Sequence, residues 1–399
     1  MIYFDNAATS FPKAPQVGPA MQNFIAKDAA NPGRAGHKMA IAAEHMLDEA
    51  RLKLTRFFDG EDHRRMVFTL NCTDALNIAI KGVLPQGPDA QGRLPHVITT
   101  VLEHNSVSRP LQALSDLGRI ELTRLASDAE GFVSPADVKN AIKPNTKLIA
   151  MTHASNVLGT IQDAAAVGRV AREAGVLFCL DVAQTAGVVP VSIQKMQIDL
   201  LAFPGHKSLM GPTGTGGLYV GPRCPEPAFP GVAGVADRLQ PWREGGTGGD
   251  SATPTQPTLF PYYLEGGTPN TVGIVGLVAG LDWVNAHDMA LTLAHEQGMV
   301  RAILEQFGSD ERFTFYGPRD ASKRVGTLSF TVRGYEPSDV GSILDDSFNI
   351  AVRPGLHCSP YVHRQMGTFP SGAVRISPGP FNTEEDLAAL LDAMAQLAE

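Results

Sequence analysis

Apolar positions along this chain recur with two different periods. Over residues 40–58 they come three and four apart with charged residues between them, which predicts an amphipathic helix. Runs at 67–69, 97–101, 147–152, 176–180, 200–203 and 217–220 are short and apolar, the length of buried strands. Helical patterns at 75–82 and 164–173 separate some of these runs. Such alternation predicts an α/β sheet with helices on both faces. From Gly221 to Pro269 glycine and proline are dense, so this stretch is expected to be a domain border or a long functional loop. Beyond it, 273–285 and 291–307 read as helices. Segments 325–332, 338–348, 350–353 and 374–377 follow, with a closing helix from Glu384. Thr383 ahead of Glu384, Glu385 and Asp386 places acid where a helix dipole favours it. This tail reads as a separate α+β lobe.

The length of 399 residues exceeds what one core usually holds, about 250–300, so two domains are expected. A formal net charge of -8 argues against a nucleic-acid partner, whose backbone favours a basic surface. No run of apolar residues is long enough to span a membrane, and the first residues lack the pattern of a secretory signal. The expectation is therefore a cytoplasmic protein with no membrane partner. Cys72, Cys179, Cys224 and Cys358 lie far apart without a CxxC pair, so neither a zinc site nor a disulfide framework is expected.

Two residues stand out chemically. Asp181 follows the run 176–180, and Lys207 follows the run 199–203 within Phe203-Pro204-Gly205-His206-Lys207-Ser208. A lysine between apolar walls loses its proton more readily than in water and can form an imine with an aldehyde. An aspartate at a strand's carboxyl end can hold a pyridine nitrogen protonated, or simply cap a helix. His104, after 97–101, could stack on a flat ring and move a proton, or be an ordinary loop histidine. Thr73 lies where a helix should begin after a strand, a place that suits phosphate binding or capping. Cys358 sits in the turn-rich segment Pro354-Gly355-Leu356-His357-Cys358-Ser359-Pro360, where a side chain can be exposed. His357 and Arg353 are near enough in sequence to lower a thiol pKa.

These residues belong to longer motifs: Tyr3-Phe4-Asp5-Asn6-Ala7-Ala8-Thr9, Asn31-Pro32-Gly33-Arg34-Ala35-Gly36-His37, Glu103-His104, Ser155-Asn156-Val157-Leu158-Gly159 and Asp181-Val182-Ala183-Gln184. Gly205-His206-Lys207, Gly266-Gly267-Thr268-Pro269-Asn270 and Arg353-Pro354-Gly355-Leu356-His357-Cys358 continue the series. In this order, over nearly the whole chain, they resemble the class V aminotransferase superfamily of fold-type I pyridoxal phosphate enzymes, in its cysteine desulfurase and selenocysteine lyase branch.

The resemblance implies an α/β, fold-type I architecture. A large cofactor-binding domain over 15–260 would carry a mostly parallel seven-stranded sheet flanked by helices. Residues 1–14 and 261–399 would form a smaller α+β domain. Lys207 would carry pyridoxal 5'-phosphate, Asp181 would pair with its ring nitrogen and His104 would stack on the ring. Asn156 and Gln184 would hold the hydroxyl side, and Thr73, Asp74 and His206 the phosphate. Thr268 would reach the phosphate of a second subunit, implying a homodimer. Asn31, Arg34, His37, Asn156, Arg353 and Arg375 would contact the substrate. Cys358 would take sulfur from L-cysteine as a persulfide, releasing L-alanine, and pass it to an acceptor protein or small thiol. Selenocysteine lyase, another C–S lyase or an aminotransferase of the same fold is the alternative, and a non-enzymatic scaffold the alternative from a different class. Two departures from the resemblance are Pro354, where relatives often have threonine or serine, and His104-Asn105 in place of a doubled histidine.

Overall fold

The computed structural model describes residues 1–33, 36–227, 238–241, 243–247 and 252–397. The elements begin with β1 (Ile2–Tyr3), α1 (Val17–Lys27), α2 (Lys38–Phe57), β2 (Met66–Thr69), α3 (Cys72–Val83) and β3 (His96–Thr100). Next come α4 (Asn105–Asp116), β4 (Glu121–Leu125), α5 (Pro135–Asn140), β5 (Thr146–Thr152), α6 (Ala164–Glu173), β6 (Leu177–Asp181), β7 (Leu200–Pro204) and β8 (Gly216–Val220). After the glycine- and proline-rich stretch follow α7 (Thr271–Ala286), α8 (Met289–Phe307), β9 (Phe313–Tyr316), β10 (Leu328–Val332) and α9 (Pro337–Phe348). The chain closes with β11 (Ile350–Ala351), β12 (Arg353–Gly355), α10 (Pro360–Met366), β13 (Ala373–Ile376) and α11 (Glu384–Gln396).

Seven strands form the main sheet in the order β2-β8-β7-β6-β5-β3-β4. The pairs from β7 to β4 are parallel, and β8 runs antiparallel to both its neighbours. Strands β7 and β6 are buried along nearly their whole length, as expected for strands covered on both faces. One face is covered by Leu47, Leu54 and Phe58 with Leu277 and Leu281 of α7. The other is covered by Leu76 and Ile80 of α3 with Val107 and Leu111 of α4. Burying each such side chain contributes about 1.5–3 kcal/mol.

A second, four-stranded sheet in the order β12-β13-β10-β9 has its own core. Met299, Val300 and Ile303 of α8 meet Phe313, Phe315, Phe330 and Leu390 there. The expected small lobe begins at 261 and so includes α7. The packing of α7, on α1, α2 and the core of the main sheet, instead places that helix with the larger layer. The small-sheet core is built from α8 onward, together with Phe4 of the amino-terminal segment.

The amino-terminal segment ties the two layers together. β1 pairs in parallel with β11, beside the small sheet, while Ala7 and Ala8 reach the main cavity and Gln184 donates to the Ala7 carbonyl at 3.2 Å. The strand expected at 350–353 is divided into β11 and β12. The run 325–332 becomes a strand only from Leu328. The predicted acid at the last helix start forms a capping box between Thr383 and Asp386.

Candidate active site

A cavity of about 190 Å³ lies at the carboxyl ends of the parallel strands. Its wall includes Thr73, His104, Asn156, Asp181, Gln184, His206, Lys207, Arg353 and Arg375, which sequence reading had singled out from seven separate places in the chain. Open α/β sheets gather their ligands at this end because helix amino termini and loops converge there.

Asp181 is the last residue of β6, and Lys207 follows β7, its parallel neighbour. The two groups sense each other. Burial pushes the Lys207 ammonium down, opposed by the Asp181 charge. Burial pushes Asp181 up, opposed by the Ala183 amide and the Lys207 charge. The Asp181 Oδ1 atom accepts from Ala183 N at 2.8 Å and from Cys72 Sγ at 3.5 Å. Those two donors hold the carboxylate through Oδ1.

The carbonyls around Lys207 are also held. His206 O accepts from Ser10 N at 3.1 Å, Thr9 Oγ1 at 3.0 Å and Lys13 Nζ at 2.6 Å, and Lys207 O accepts from Ser10 Oγ at 2.9 Å. Gly205 precedes them in close quarters: an added Cβ would lie 2.1 Å from Thr215 Oγ1. Only glycine fits that approach of β7 to the start of β8.

His104 is the N-cap of α4, its Nδ1 accepting from Ser106 N at 3.1 Å. A ring nitrogen that accepts carries no proton, so the neutral tautomer bears its hydrogen on Nε2. Burial and the nearby cations hold the ring pKa down to about 4, so it is neutral at pH 7. Ser106 Oγ also bridges His104 Nδ1 and Thr73 Oγ1, both at 2.8 Å. Thr73 stands in the first turn of α3, whose N-cap is Asn71. His206 Nδ1 is buried without a partner.

Arg353 and Arg375 face each other in register across β12 and β13. Arg375 is almost fully buried, donates to Asp5 Oδ1 at 2.6 Å and to Asn156 O at 3.1 Å, and leaves Nε unpartnered. Two cations against one carboxylate leave local positive charge for an anionic ligand group.

Cys358 lies outside the wall, directly after the wall residue His357, and is the exposed member of the four free cysteines. Both residues are left-handed, with φ of 49° and 59°. Burial holds His357 near about 2, so it is uncharged and cannot act as the expected cation beside the thiol. Arg353 remains as the cation of this segment.

Other predicted residues are not brought to the cavity wall. His37 is exposed and caps α2 through Nδ1, which accepts from Ala40 N at 3.2 Å. Asn31 and Thr268 are exposed, Thr268 lining a separate cleft with Asn270 and Arg243. Asp74 offers its amide to the Asn71 cap at 2.9 Å. Arg34 lies outside the described residues. Sequence reading missed Ser106, Asp5 and Cys72 as working parts of the site, although Asp5 lies inside the motif at residues 3–9. It also missed Glu103, the fully buried residue preceding His104, with a carboxyl raised to about 8 by burial. Among the described residues no group of His, Cys, Asp and Glu could hold a metal, and no helix is long and apolar enough to cross a membrane.

The fold, with a lysine and an aspartate on neighbouring strand ends over one cavity, defines a class that comparison identifies: residues 2–390 match the family Aminotransferase class-V, and the chain belongs to it. Within that family it is similar to a probable cysteine desulfurase of Pyrococcus abyssi, 32% identical over 100% of this chain and 94% of the relative. A probable cysteine desulfurase of Methanothermobacter thermautotrophicus is 31% identical, again over 100% and 94%. Among solved structures, the apo cysteine desulfurase of Thermococcus onnurineus NA1 superposes with a TM-score of 0.89 at 33% identity, covering 100% of this chain and 94% of that one. The cysteine desulfurase CsdA of Escherichia coli gives 0.83 at 26% identity, over 99% and 94%.

Proposed function

We propose that this protein is a pyridoxal phosphate-dependent cysteine desulfurase that converts L-cysteine to L-alanine and stores the sulfur as a persulfide on Cys358. The carrying observation is that Lys207 and Asp181 open on one cavity, in electrostatic contact, with an arginine pair on one side and the exposed Cys358 turn beside it.

The residues present fit the cofactor. Thr73 at the α3 amino terminus and the unpartnered His206 Nδ1 suit a phosphate. Asp181 suits a protonated ring nitrogen, the flat neutral ring of His104 suits stacking, and Gln184 and Asn156 suit the hydroxyl side. When bound, pyridoxal phosphate supplies an electron sink for breaking bonds at the substrate Cα and Cβ.

The chain's own groups do the rest. Arg375, held by Asp5, and Arg353 bind the substrate carboxylate, Arg375 by a guanidinium fork suited to it. Lys207, with its ammonium pKa lowered by burial, takes the proton from Cα and returns protons to the product. The Cys358 thiolate attacks the substrate sulfur. An S–S bond forms to Cys358, the substrate Cβ–S bond breaks, and protonation at Cβ completes alanine.

In a homodimer Thr268, exposed and away from its own chain's cavity, would reach the phosphate of the second subunit. Few residues separate Arg353 from Cys358, so the persulfide has a short tether and an acceptor protein or small thiol must come to it.

The test is incubation with L-cysteine, following alanine and protein-bound persulfide. Cys358→Ser should lose the persulfide and lower alanine formation by about 10²-fold. Equal alanine from both proteins would move the assignment to a C–S lyase that releases sulfur without capture.

A further inference from the structure

The turn carrying Cys358 has an unusual set of attachments. Two successive left-handed residues other than glycine do not persist without support from their surroundings. Here three consecutive carbonyls are each engaged. Leu356 O accepts from Ser359 N at 2.9 Å and Cys358 O from Asn105 N at 2.7 Å. His357 O accepts from Asn156 Nδ2 at 2.7 Å. The other end of the same amide is taken as well: Ser359 Oγ donates to Asn156 Oδ1 at 2.7 Å. Ser359 has no exposed surface and Asn156 is 8% exposed, so water does not substitute readily for either bond. The backbone of Asn156 is fixed in turn, its carbonyl accepting from Arg375 at 3.1 Å.

We infer that Asn156 and Ser359 form a clamp that sets the position of Cys358, so that the amide lining the cavity also determines where the thiol stands. Ser359 is a positioning residue: it acts through Asn156 and the turn and does not line the cavity. The amide Nδ2 carries two hydrogens. One is committed to His357 O, and the second is available to a hydroxyl in the cavity. A ligand that takes it fixes the amide plane from which the turn hangs. On the reading given above, that ligand is the cofactor, and its binding stiffens the Cys358 turn.

The experiment is hydrogen exchange over the 353–362 segment, first in protein stripped of cofactor and then with pyridoxal phosphate added. In Ser359→Ala the Ser359 amide, which bonds Leu356 O, should exchange about tenfold faster than in the wild type. Ser359→Thr, which keeps the hydroxyl, should restore protection. If Ser359→Ala does not fold, Ser359→Cys, of similar volume with a weak donor, gives the same comparison. Equal exchange in wild type and variant overturns the clamp. Added cofactor should slow exchange in the wild type and leave Ser359→Ala unaffected; slowing by the same factor in both overturns the coupling through Asn156. Failure of the wild type to take up the cofactor at all would sink the enzyme reading while leaving the stripped-protein comparison intact.

Discussion

Asp181 and Lys207 oppose each other's burial. Each would be driven neutral alone, and each charge favours the other's ionisation. Removing the Asp181 charge therefore has a definite sign. Asp181→Asn loses the anion that raises the Lys207 pKa, so the amine of the variant should titrate at lower pH than in the wild type. A pH series of pyridoxal phosphate uptake by the stripped protein reads that shift. Turnover should nonetheless fall, by about 10²-fold, because an amide cannot keep a ring nitrogen protonated. An unchanged uptake profile would separate the two groups. Both residues were legible beforehand because each follows a short apolar run. The Asp5 partner of Arg375 was not readable as such: it lies 370 residues away and is joined to it only by folding. Glu103 and Cys72 were hidden for a similar reason, since burial, not residue type, gives them their character.

The small sheet delivers its two arginines by close strand approach. Gly372 has φ of 86°, and a Cβ there would lie 2.2 Å from the Gly355 backbone. Gly372→Ala must push β12 away from β13, and Arg353 with it. The expected result is a destabilisation of about 2 kcal/mol or more by denaturant titration, with KM for L-cysteine raised more than kcat is lowered. The cofactor absorbance should persist, because Lys207 follows β7 of the other sheet. Elements were legible to differing degrees. Buried strands such as β6 and β7 announce themselves as apolar runs. Strand β4, Glu121–Leu125, is an edge strand with an exposed first residue and mixed polarity, and no run marks it. Helix α4 was obscured by Pro110 within it and by a first turn of Asn105 and Ser106, residues that favour caps over helix interiors. Its amino terminus positions Ser106 between His104 and Thr73, so the unread helix and the unread residue are one omission.

Across the whole molecule, buried ionisable groups set opposing pH dependences. Glu296 of α8 is 6% exposed and its carboxyl is raised to about 8 by burial. Between its ordinary value and 8 the folded protein holds a proton that the unfolded chain releases, so stability falls as pH rises through that window. The buried ring of His153 and the half-buried ring of His206, lowered to about 4, act the other way: they lose stability as pH falls through the ordinary histidine range toward 4. Glu296→Gln should remove the first slope and gain about 1–3 kcal/mol at pH 8 with little change at pH 5, measured by thermal unfolding of the stripped protein. An identical pH profile would mean the carboxyl is ionised within the fold.

The first thirteen residues have a reach out of proportion to their number. In that short span the chain adds a strand beside the small sheet, supplies the acid that steadies Arg375, lines the cavity with two alanines and grips the peptide groups next to Lys207. Proteolytic trimming or a bulky fusion at this end would therefore disturb the chemistry itself, and the wear of an ageing preparation at its amino terminus should surface first as fading colour rather than as loss of fold.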